Sequence, residues 1–166
     1  MKILDELKLK VRAASGPNGL ADYFHVLLME GALKTVQGIV RDRPETLAAL
    51  LPVVANPEAS MNVRFGAGAV FESFAGTPAL AALVARLGEL SAHADARVRA
   101  DACHYLGLAG SNDGRRFLEA RLLDESAEVR EIAADSLAEL GGGDHAAIIG
   151  TQADQLVPTE RTRRHG

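Results

Sequence analysis

DARVRADACHYLGLAGSNDGRRFLEARLLDESAEVREIAADSLAEL, residues 95–140, is the stretch from which the rest of the chain can be read. A helical pattern opens at Val98-Arg99 and closes at Gly110. A second opens at Val129-Arg130 and closes at Gly141. Between them Arg115 to Leu123 reads as another helix, and Asp124 marks the turn after it. Helix, turn, helix, and the same order again is the signature of a repeat.

Counting offsets tests the repeat. With the Val of each Val-Arg as zero, Ala falls at plus four (Ala67, Ala102, Ala133) and a large apolar residue at plus eight (Phe71, Leu106, Leu137). Position plus eleven is Phe74, Ala109 or Leu140. These offsets share one helical face. The copies start at Val63, Val98 and Val129, spaced 35 (98−63) and 31 (129−98) residues apart. The second helices keep a looser phase, with Leu83-Val84, Phe117-Leu118 and Ile148-Ile149 in step. Small residues at plus four and plus five, among them Gly68, Cys103 and Ala134, predict close helix approach. A unit of this size cannot bury its apolar face alone, so stacking on its neighbours completes the core.

In these residues the chain closely resembles HEAT-like repeats of the bilin-lyase type. That pattern sets an Asp, four residues, Val-Arg, then Ala and Leu-Gly. Asp124, Val129, Arg130, Ala133 and Leu137 match it. His93 stands where the Asp belongs in the Val98 copy, and Glu58 in the Val63 copy. The resemblance covers roughly residues 60–141. It implies an all-α, right-handed α-solenoid, with the repeat arginines Arg64, Arg99 and Arg130 bonding between units.

Composition agrees with close-packed helices. The 166 residues are 48% hydrophobic and 4% aromatic, with no Trp, so Ala, Leu and Val supply the apolar mass. A net charge of −4 argues against a nucleic-acid binder, which needs a clustered positive surface. The single Cys103 allows no intrachain disulfide. Ser73 to Ala85 carries no charge, but its 13 residues fall short of the roughly 20 of a membrane span. The opening MKILDELKLK lacks a signal peptide's apolar centre, so the expected location is cytoplasmic.

One domain is expected over residues 1–156, with about four helix pairs. Residues 1–15 form an amphipathic N-terminal cap helix, ended by Ser15 to Gly19. Residues 20–55 form a divergent first repeat. There Leu20 to Arg41 is one kinked helix or two short ones, and Asp42 caps a partner helix from Pro44 to Val54 that Pro52 kinks or shortens. Residues 60–90, 95–123 and 126–156 are the later repeats. Thr77-Pro78 starts the second helix of the first of these, and Gly141-Gly142-Gly143 ends the first helix of the last. Residues 157–166, ending RTRRHG, form a mobile basic tail.

No catalytic motif emerges, and neither a catalytic residue, a metal nor a cofactor is expected. Cys103-His104 resembles a nucleophile pair, but neighbours on a helix point about 100° apart, so Cys103 reads as packing and His104 as surface. No His shows the helical spacing of metal ligands. Asp22, Tyr23 and His25 form the polar edge of a helix or line a pocket. Arg86 and Arg121 recur in equivalent phase on the second helices. With Arg115, Arg116 and Glu119 they make either a solvated charged face or a binding strip for an acidic protein partner. The expected function is a non-enzymatic protein–protein interaction module presenting a groove, without nucleic acid or membrane. The alternative, from the resemblance, is an enzyme or enzyme subunit of the bilin or prosthetic-group lyase type.

Overall fold

The computed structural model describes residues 19–152, with side chains through Gly141. The expected cap helix over residues 1–15 and the tail over 157–166 lie outside the described residues. Every regular element among those described is helical, and the fold is all-α and solenoid-like.

The first unit has three pieces. Helix α1 (Gly19–Met29) and α2 (Leu33–Asp42) are separate helices, divided at Gly31, whose φ of +77° only glycine adopts readily. The expected partner helix from Pro44 to Val54 is instead a 3-10 stretch, Pro44–Leu50, followed by the short α3 (Leu51–Val54). The reason is Pro52, which has no N–H to give the carbonyl of Ala48. The N–H of Leu51 takes that carbonyl, tightening the turn. Asp42 is the last residue of α2 rather than a cap. Arg43 takes the capping position without a side-chain bond, and Pro44 opens the 3-10 stretch.

The second unit pairs α4 (Met61–Ser73) with α5 (Pro78–Ala81) and α6 (Val84–Leu90). Ser60 caps α4 and Thr77 caps α5, each hydroxyl accepting from a backbone N–H three residues on at 3.4 Å. Proline follows Thr77 at the first helical position, as its sequence signal predicts. The third unit pairs α7 (Ala96–Ala109), closed by Gly110 in the left-handed region (φ +65°), with a 3-10 turn and α8 (Arg115–Glu119). The helix expected to reach Leu123 stops at Glu119. From Arg121 onward, backbone N–H groups reach three residues back, and Leu123 is 93% exposed, with nothing to anchor a further turn.

The fourth unit is a single helix, α9 (Ala127–Gln152), so the break expected at Gly141-Gly142-Gly143 is absent. Glycine weakens a helix by about 1 kcal/mol relative to alanine without forbidding it. Gly141 stays helical and does not adopt the left-handed cap used by Gly110.

The repeat phase predicts the core well. Val63, Phe71, Val98, Ala102, Leu106, Val129 and Ala133 are fully buried, and Ala67 nearly so. Leu137, the plus-eight residue of α9, is only partly buried. First helices stack α4 on α7 on α9, and α6 packs on α7. The closest approaches fall at glycines outside the small positions predicted. A Cβ on Gly88 would sit 2.5 Å from the Phe117 ring, and one on Gly107 would sit 2.8 Å from the side chain of Ser136. Gly88→Ala is therefore expected to destabilise by roughly 1–3 kcal/mol through overpacking, read by urea denaturation. A neutral result means Phe117 swings aside without loss.

Candidate functional site

Three side-chain groups bear on function: the repeat arginines and two grooves. Arg99, 4% exposed, reaches from α7 to the turn before α9. Its Nε and Nη2 donate to the two carboxylate oxygens of Asp124 at 2.9 and 2.8 Å, and Nη1 donates to the carbonyls of His93 and Ala94 at 3.0 and 2.9 Å. Asp124 also accepts from the Ser126 N–H at 2.9 Å. Bonding to the Arg99 guanidinium, more than any other influence, holds its carboxyl below the usual range. Arg130 repeats half of this pattern, with Nη1 donating to the carbonyls of Asp124 and Glu125 at 2.7 and 3.2 Å.

Arg64 departs from it for a reason written in the sequence. The position equivalent to Asp124 in the next turn is His93, which keeps only the local role: its Nδ1 accepts from the Asp95 N–H at 3.0 Å. Without a carboxylate there, Arg64 turns to Asp101 on α7, with Nη2 at 2.7 Å, while its Nη1 is buried without an acceptor among the described residues. Burial raises the Asp101 carboxyl above its ordinary value, and the Arg64 charge opposes that rise.

The first groove, of about 570 Å³, lies along the second helices. Ala81, Ala82, Val84 and Ala85 line one side; Asn112, Asp113, Arg115, Arg116, Phe117 and Glu119 line the other. Arg116 lies over the Phe117 ring, 4.6 Å from its centroid. Arg86 sits in a neighbouring cleft with Pro52, Ala55 and Glu89. Arg121 does not join them, because its Nη1 reaches Asp124 at 3.4 Å and only a quarter of its side chain is exposed. The five residues expected on one strip thus divide among a groove, a cleft and an internal ion pair.

The second groove, about 560 Å³, runs over the first helices and includes Met61, Phe65, Arg64, Asp101, His104 and Glu128. Sequence reading passed over it. The exposed apolar residues at Met61 and Phe65, just off the core phase, were the available signal.

Cys103 is fully buried, and burial pushes its thiol up to about 11, so it stays protonated at neutral pH. His104 is half-exposed beside Glu72 at 3.6 Å. Asp22 and His25 line a small cleft with Pro52 and Asn56, while Tyr23 lies apart from it and buries its hydroxyl without a partner. Among the described residues no three His, Cys, Asp or Glu side chains are grouped to hold a metal, and no helix is long and apolar enough to cross a membrane.

Helix pairs stacked in register and tied by a buried arginine–aspartate bond define an α-solenoid of short repeats. Residues 84–150 match the family model for HEAT repeats, which supports a HEAT-like repeat protein. The match is to HEAT repeats in general and does not reach the bilin-lyase subtype. No curated protein matches the chain. HEAT repeats commonly serve as scaffolds for protein interaction.

Proposed function

We propose that this chain is a non-enzymatic interaction module that docks a protein partner along its second helices. The observation that carries the reading is the groove between α5–α6 and α8. Its alanine wall leaves room for an incoming backbone, and its opposite wall offers Arg115 and Arg116. Among the described residues neither arginine, nor Arg86 in the adjoining cleft, is held in an ion pair. Free guanidinium groups on a chain of net charge −4 favour an acidic segment, since complementary charge sets partner choice and association rate. Glu119 at the same wall supplies a register point for a partner cation.

The test is a variant with Arg86, Arg115 and Arg116 each replaced by Glu, leaving Arg121 in its pair with Asp124. Partners captured from source lysate by the wild-type chain are identified by mass spectrometry, and capture is repeated with the variant. The variant is expected to keep its helical circular dichroism and lose capture, most at low salt. Undiminished capture at low and high salt by a folded variant makes these arginines a solvated face and removes the proposal.

A further inference from the structure

The groove over the first helices has a different chemistry from the one proposed above. Its two arginines are already committed. Arg64 is paired with Asp101 at 2.7 Å, and Arg97 with Asp95 at 3.0 Å and the Pro57 carbonyl at 2.9 Å. Its acids are not neutralised to the same extent. Glu72 is 61% exposed on its side chain and, among the described residues, has only His104 at pairing distance, at 3.6 Å. Glu128 lies on the rim with no cation at pairing distance among the described residues. Two large apolar side chains stand in the open beside them, Met61 at 56% and Phe65 at 67% exposure.

A second observation is independent of those acids. The Arg64 side chain is nine-tenths buried and lines the groove, yet its Nη1 has no acceptor among the described residues. A buried donor without an acceptor is costly, and an incoming carbonyl supplies what that wall lacks. The corresponding Nη1 of Arg99 is satisfied by the backbone carbonyls of His93 and Ala94.

We infer that this groove docks a basic peptide segment of a partner protein. Its Lys or Arg side chains meet Glu72 and Glu128, and a backbone carbonyl meets Arg64. The aliphatic stems of such side chains cover apolar surface while their heads stay at charge, and a guanidinium finds a favourable ring face at Phe65. An acidic segment is disfavoured by the same inventory, since its carboxylates face Glu72, Asp101 and Glu128 while the charges of Arg64 and Arg97 are already paired with Asp101 and Asp95.

The probes are fluorescein-labelled heptapeptides of leucine and alanine carrying two arginines, two glutamates or two glutamines, titrated against the full-length chain by fluorescence anisotropy. The arginine peptide is expected to bind and the other two not. Replacing Glu72 and Glu128 by Gln, or Phe65 by Ala, is expected to weaken it about tenfold, as loss of central contacts commonly does. All three are exposed positions, and circular dichroism verifies that the variants fold. The Arg86, Arg115, Arg116 triple variant is expected to bind this peptide as wild type does, which separates the two faces. In amide spectra the shifts on titration are expected at Gly68 and His104. The assignment is overturned if the arginine peptide fails to bind, if the glutamate peptide binds equally, or if the groove variants bind undiminished. It is also overturned if the chain dimerises in sedimentation and Phe65→Ala abolishes the dimer, since a second copy is then the occupant.

Discussion

Arg99→Ala is expected to destabilise the fold by about 3–5 kcal/mol, because it leaves Asp124 as a buried charge stripped of its main partner. Both side chains are almost fully enclosed, at 5% and 3% exposure, so solvent screening gives little relief. Asp124→Ala should cost less. Arg99 then keeps the carbonyls of His93 and Ala94 and one contact to the exposed Glu125. Replacing both by Met and Leu should come closer to wild type than Arg99→Ala alone. Urea denaturation of wild type and the three variants reads these differences. A loss below about 1 kcal/mol for Arg99→Ala, the level of an exposed pair, contradicts the assignment of this bond as a structural tie. The sign with pH follows from Asp124. Its folded carboxyl titrates below the ordinary 3.8, so the stabilisation is fully present above that value and is lost as the pH falls below it. Removing Arg99 should therefore shrink the acid limb of the stability curve.

Leu106→Ala is expected to cost roughly 2–5 kcal/mol, the range for truncating a buried leucine. Leu106 is fully enclosed at the plus-eight position and packs against Gly114 at the start of the next helix, so truncation opens a cavity between helix and turn. His104, two residues earlier on the same helix, is half-exposed. His104→Ala should lie within about 0.5 kcal/mol of wild type, as surface changes usually do. The comparison reads helical phase directly. Equal losses at the two positions contradict the placement of α7.

The sequence by itself determined the period, the core phase and the solenoid class. Those follow from local rules: an apolar residue every three or four positions makes one face, and a repeated face demands a stacked neighbour. Val63, Val98 and Val129 are buried alike for that reason. Start and stop signals with a short-range mechanism were legible too, as at Thr77-Pro78 and Gly110. What only the tertiary structure decided depends on partners distant in the chain. Gly88 matters because the Phe117 ring, remote in sequence, lies against it. Arg86 and Arg121 share phase in the sequence, but Arg121 is drawn to Asp124 three residues on, while Arg115 and Arg116 line the groove. Arg64, Arg99 and Arg130 look equivalent in the sequence. Their bonds differ with the acceptors in reach: Arg99 has the carboxylate of Asp124, Arg64 has His93 at the equivalent position and pairs with Asp101 instead, and Arg130 reaches the carbonyls of Asp124 and Glu125 in its own turn.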